Sequence, residues 1–99
     1  MSGFTPGPWW ADASHYGTVY IEANAAIDKR LLQEICAVGP TESGREQQLA
    51  NARLIAAAPE LYEALKQAVT SMQDSGYSNS HIAIRAARAA LSKAAGEGR

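Results

Sequence analysis

The sequence predicts an α+β fold: a small three-stranded antiparallel meander in the N-terminal part, packed against two to three C-terminal helices. Three observations predict it. Thr18 to Ala23 alternates with the period of a strand; Gln47 to Leu65 reads as a helix, its interruption at Pro59 and the next helix; and alanine dominates the first and third of the helical segments that follow residue 41. Ninety-nine residues suffice for one domain, 1–99, with a sheet part over 1–40 and a helical part over 41–96. A chain this short buries a modest share of its surface, so its stability is expected to be marginal unless it forms an oligomer.

The elements follow in order. Gly3 to Pro8 alternates glycine and proline with polar residues, and proline fixes φ while removing a donor, so an extended lead-in is expected. It delivers Trp9 and Trp10, which in a strand point to opposite faces; Trp9 is taken as the core anchor and Trp10 as the outward ring. The next strand places Val19, Ile21 and Ala23 on one face and Thr18, Tyr20 and Glu22 on the other. Ala25 to Val38 admits two readings, a helical stripe through Ile27, Leu31, Leu32 and Ile35, or a turn over Asn24 to Arg30 followed by a strand ending at Gly39-Pro40. The turn and strand complete the meander, which helices must cover.

Ser43-Gly44-Arg45-Glu46 fits a capping box, so the first helix is expected to start there and to run to about Ala57. Pro59 suits the first turn of a second helix, where its missing N–H costs nothing. Leu61, Leu65, Ala68 and Met72 form that helix's apolar stripe, with Tyr62 and Val69 beside it, and Gly76 caps it. A third helix, opened by Ser78, Asn79 or Ser80, runs to about Ala95 with Ile84, Ala87, Leu91 and Ala94 as its seam.

Composition narrows the function. A formal net charge of -1 supplies no field to attract nucleic acid, and equally lacks the dense acidity of a nucleic-acid mimic. The single Cys36 forms no internal disulfide, no apolar run is long enough to span a membrane, and the first residues lack the pattern of a signal peptide; a soluble, reducing compartment fits. His15, His81 and Cys36 do not supply a zinc spacing, so neither a metal nor another cofactor is expected.

The chemistry-bearing clusters are few. Asp12, Ser14 and His15 contain the residue types of a hydrolytic triad, but such triads are assembled by a fold rather than packed within four residues. Gly39 to Gly44 lacks the lysine of a phosphate loop and reads as a strand-to-helix turn, although free amides at the helix start beside Arg45 are a possible anion seat. Arg85, Arg88 and Ser92 fall within an arc of about 60° on the third helix, either as a solvated face or as arginine forks for an anionic partner. Asn51 is an indifferent helix former between two alanines, so helix propensity does not account for it.

Two stretches carry a resemblance. Thr5-Pro6-Gly7-Pro8-Trp9 and the block Ala50 to Leu65, with its Asn-Ala-Arg-Leu-Ile-Ala-Ala-Ala-Pro-Glu-Leu run, resemble a recurrent group of small proteins encoded by bacteriophages and prophages, most without an assigned activity. The resemblance implies a phage origin, a compact α+β domain and the cytoplasm of the bacterial host; for Asn51, in its recurrent run, it implies a structural role such as a bond to the neighbouring Pro59 turn, or a place at an interface; and it transfers no catalytic residues. Small phage accessory proteins commonly neutralise host defence by binding. The expectation is therefore a non-enzymatic protein that contacts a host protein, as an inhibitor of a bacterial defence system such as an anti-CRISPR. Trp10, His15, Tyr16 and Tyr20 are the candidate contacts on the sheet side, and Arg85 and Arg88 on the helical side. The alternative is an oligomeric sponge for a signalling nucleotide, stacking its base on Trp10 or Tyr20 and holding its phosphate with Arg85 or Arg88.

Overall fold

A computed structural model describes residues 3–96 as three strands followed by three helices: β1 (Trp9–Asp12), β2 (Val19–Asn24), β3 (Leu32–Val38), α1 (Arg45–Ala56), α2 (Ala58–Asp74) and α3 (Ile82–Ala94). The strands form one antiparallel sheet in the order β1-β2-β3. The fold is α+β, as the alternation in β2 and the interrupted helical block predict. The chain divides into two compact units, Phe4–Glu60 and the helical remainder from Leu61.

In the first unit the inner sheet face is built by the period-two pattern. Val19, Ile21 and Ala23 are fully buried, and Val19 and Ile21 form a core with Ala52 of α1. Trp9, Ala11, Val38, Leu49, Ile55 and Ala56 pack around that core. Trp9 is the anchor the sequence implies: its indole N–H donates to Thr5 O at 3.0 Å, and Phe4 meets its ring edge-on at 6.3 Å. The segment 25–31 is a turn, closed by Ala25 N–H to Leu31 O at 2.8 Å and by a bidentate Arg30–Asp28 pair. Of the two readings of Ala25 to Val38, the turn and strand is the observed one.

β3 departs from simple alternation. Ile21 faces Cys36 and Glu22 faces Glu34, so Ile35 has no opposite residue on β2 and forms a bulge. One extra residue lets Ile35 and Cys36, neighbours in sequence, both pack against the core while Glu34 lies on the outer face.

Three local expectations are corrected. The capping box at Ser43 does not form: α1 is capped by Gly44, at φ 93°, with no side-chain bond, and the preceding turn is closed by Gly44 N–H to Thr41 O at 3.1 Å. A positive φ is open to glycine at little cost, so Gly44, not Ser43, turns the chain into the helix. Beyond the first turn of α2 the buried residue is Val69, with Tyr62, Leu65 and Met72 half-buried, whereas Leu61 is 53% exposed and Ala68 is exposed. The apolar stripe is rotated by one position from the expected one. α3 is opened by His81 rather than by the serines or Asn79: its ring Nδ1 accepts from Ala83 N–H at 3.1 Å, and Tyr77 meets the ring edge-on at 5.1 Å.

The helix breaks follow the sequence. Pro59 has no N–H for the ladder, so α1 ends at Ala56 and α2 starts at Ala58. α2 ends in a Schellman motif, Tyr77 N–H to Met72 O and Gly76 N–H to Gln73 O, both 3.0 Å, with Gly76 at φ 96°. In α3 Ile84 is fully buried and Ala87 and Leu91 are half-buried, as the predicted seam requires; Ala94 is exposed. Among the described residues, no helix is long and apolar enough to cross a membrane.

Candidate functional site

α1 occupies one side of the sheet, and the register places a distinct set of residues on the other. Residues opposite one another across antiparallel strands share a face, so Trp10, Glu22 and Glu34 make one row and Asp12, Tyr20 and Ala37 the next. Trp10 is half-buried and its indole N–H donates to Glu22 Oε1 at 3.2 Å, which fixes the ring across the strand pair. Tyr20 is half-buried and meets the His15 ring edge-on, with centroids 5.0 Å apart at 81°.

His15 is held by Asp12. The carboxylate ends β1 and organises the β1–β2 loop: Oδ1 accepts from the Ser14 amide at 3.0 Å and from the Ser14 hydroxyl, while Oδ2 lies 3.3 Å from His15 Nε2. The Ser14 hydroxyl and amide, helped by the nearby imidazole, hold the Asp12 carboxyl below its usual range. Ser14 therefore spends its hydroxyl on Asp12, not on His15, and the nucleophile-to-base bond of a hydrolytic triad is not formed here.

Tyr16 stands fully exposed beyond His15. Ser14 to Gly17 forms one wall of a groove of about 630 Å³ whose other lining comes from Pro40, Thr41, Gly44, Arg45 and Gln48. Gln48 sets the spacing of these loops. It is 2% exposed; its side-chain amide donates to Gly17 O and to Val38 O, both at 2.9 Å, and its Oε1 accepts from Arg45 Nη1 at 3.0 Å. Arg45 also reaches Ala13 O at 3.4 Å, so its guanidinium is engaged by protein at the helix start where the sequence admits an anion.

Of the residues singled out from sequence, Trp10, His15 and Tyr20 come together on the outer face and its adjoining loop, with Tyr16 on the groove beside them. Arg85 and Arg88 are exposed on α3, in the helical unit. Asn51 is exposed on α1 and makes no side-chain hydrogen bond among the described residues, which removes the expected bond to the Pro59 turn. Cys36 lies on the core side, where burial and then the charge of Glu34 push its thiol up. Among the described residues, no group of three or more His, Cys, Asp or Glu side chains is placed to hold a metal ion.

Glu22, Glu34 and Gln48 are not among the sequence candidates, and Asp12 and Arg45 enter the sequence reading only through a triad-like cluster and an anion seat. Alternation in β2 does put Glu22 beside Tyr20 on the outer face; Glu34 joins it only through the bulge, which has no signature in β3.

Fold and surface define a small α+β protein whose sheet presents an aromatic and acidic outer face. The chain belongs to the family described as Salmonella phage P22 protein Y8K6, whose sequence profile matches residues 1–98. It is thus a small protein of a phage family. Comparison with curated proteins and with solved structures gave no match.

Proposed function

We propose that this phage accessory protein acts by binding a host protein, without catalysis, in the cytoplasm of the bacterial cell, and that the effect is inhibition of a bacterial defence system of the anti-CRISPR kind. The observation that carries the reading is the sheet's two-sidedness. α1 packs on the face of Val19 and Ile21, and the opposite face displays Trp10 and Tyr20, each held in orientation by a bond to Glu22 or a ring contact with His15. Oriented aromatic side chains offer contact area at low entropic cost, the property of interface anchors. The engagement of Ser14 by Asp12 supports binding over nucleophilic chemistry. The phage family supports an action on the host.

A nucleotide sponge is the less favoured reading. Its base-stacking rings, Trp10 and Tyr20, share their rows with Asp12, Glu22 and Glu34, which repel phosphate.

The test is a native mass spectrum of the tagged protein after incubation in host lysate. A discrete added protein mass that disappears with Trp10→Ala, in a variant whose circular dichroism is unchanged, is the expected result. An added mass that survives Trp10→Ala overturns the assignment of the sheet face. A small added mass on an oligomer replaces the reading with the sponge.

A further inference from the structure

The outer face carries a charge pattern that specifies the chemistry of its partner. Two of its rows, Trp10-Glu22-Glu34 and Asp12-Tyr20-Ala37, hold three carboxylates and two aromatic rings, a further row pairs Asn24 with Leu32, and none of these residues is a lysine or arginine. Glu22 and Glu34 stand directly opposite each other across an antiparallel pair, a placement that destabilises a sheet by like-charge repulsion. Neither forms an ion pair among the described residues. The Trp10 indole N–H orients the Glu22 carboxylate without neutralising it. The closest cation in sequence to β3, Arg30, is bound to Asp28 within its own turn.

Resting on the reading that this face meets a host protein, we infer that the partner presents a basic contact surface, whose lysine or arginine cations are taken up by Glu22 and Glu34 while their stems lie on Trp10 and Tyr20. Charge complementarity supplies the first half of this recognition and the ring faces the second, since guanidinium and ammonium groups are attracted to both. A single cation placed between the opposed carboxylates removes their repulsion, so the partner gains from a strain the free sheet carries. Nucleic acid has the wrong sign for the same face.

The experiment is an NMR titration of the full-length protein at about 0.15 M salt, where loose surface electrostatics is screened. The probes are hexa-arginine, hexa-lysine and hexa-glutamate peptides. The two indole N–H signals are internal reporters, because Trp10 donates to Glu22 and Trp9 to Thr5 O. The expected result is a saturable shift of the Trp10 indole with the basic peptides while the Trp9 indole stays in place. In a Glu22→Gln/Glu34→Gln variant the affinity should fall by about tenfold, and its melting temperature should equal or exceed that of the parent. No saturable shift, an equal shift in the double variant, or a larger response to hexa-glutamate overturns the inference.

Lysate capture separates this inference from the reading beneath it. A host complex lost with Trp10→Ala but kept by the double glutamine variant preserves the sheet-face reading and overturns the basic partner. Loss in both variants supports both.

Discussion

Replacing Gln48 with methionine tests how the groove and the sheet are held to α1. Methionine has nearly the length and shape of glutamine and suits a helix, so the substitution removes hydrogen bonds with little change in volume. Two backbone acceptors lose their partner, Gly17 O and Val38 O, each bonded at 2.9 Å by a side chain that is 2% exposed. A buried polar group left unsatisfied costs about 1–3 kcal/mol, and two give about 2–6 kcal/mol before relaxation. The gain from burying an apolar side chain in place of an amide offsets part of this, leaving about 2–3 kcal/mol. For a domain of this size that lowers Tm by roughly 10–20 °C, a large share of a total stability of about 5–15 kcal/mol. Urea unfolding followed by tryptophan fluorescence measures the midpoint and slope. Arg45→Ala keeps both amide bonds and leaves Gln48 Oε1 to water in place of the exposed guanidinium, so it should cost about 1 kcal/mol, less than Gln48→Met. A Gln48→Met midpoint equal to the parent's at unchanged slope, or one no lower than that of Arg45→Ala, would refute the clamp.

Three further outcomes follow from local chemistry. His81→Ala removes the acceptor for Ala83 N–H and should cost about 0.5–2 kcal/mol, recovered largely by His81→Asn, with amide exchange at Ala83 as the readout. Cys36, with its thiol pushed up by burial and by Glu34, should react more slowly with a neutral-pH thiol reagent than a free cysteine does, and unfolding in urea should restore the ordinary rate. Asp12 and Asp28 are held below the usual carboxylate range, by Ser14 and by Arg30 respectively. Their folded values are depressed, so their contribution is complete above the unfolded value of about 3.9 and is lost as pH falls through the lowered folded values. An Asp12→Asn/Asp28→Asn variant should show a shallower loss of urea midpoint on acidification, and an unchanged slope would contradict it.

Most of the sheet unit was legible because β2 writes its facing directly: Val19, Ile21 and Ala23 alternate with Tyr20 and Glu22, and burial follows that pattern residue by residue. Pro59 likewise marks its helix break in one residue. Elsewhere the sequence carries competing local signals of equal strength. Ser43 and Glu46 have the spacing of a capping box, but the positive φ of Gly44 closes the turn one residue later. Ser78 and Ser80 are stronger cap formers than His81, yet they are spent on their own turn, Ser80 N–H to Ser78 Oγ at 3.1 Å. In α2, Leu65 and Met72 belong to two adjacent stripes, and hydrophobicity alone does not choose between Leu61 with Ala68 and Tyr62 with Val69. The site is legible in its aromatic half and in Glu22, which alternation puts beside Tyr20. Trp10 and Tyr20 follow from strand parity, whereas Glu34 requires knowing where β3 breaks it, and Gln48 requires the carbonyls of Gly17 in the β1–β2 loop and of Val38 at the end of β3.

The bulge at Ile35 has a consequence for how the gene can change. Losing or gaining one residue in an ordinary strand inverts the facing of everything beyond it. In β3 the half around Cys36 and Val38 and the half around Glu34 are already out of step by one, with Ile35 absorbing the difference. Deletion of Ile35 would leave Cys36 opposite Ile21 and Glu34 opposite Glu22, at the expense of one core side chain. β3 is thus a place where chain length can drift by a residue while the acidic, aromatic surface keeps its composition.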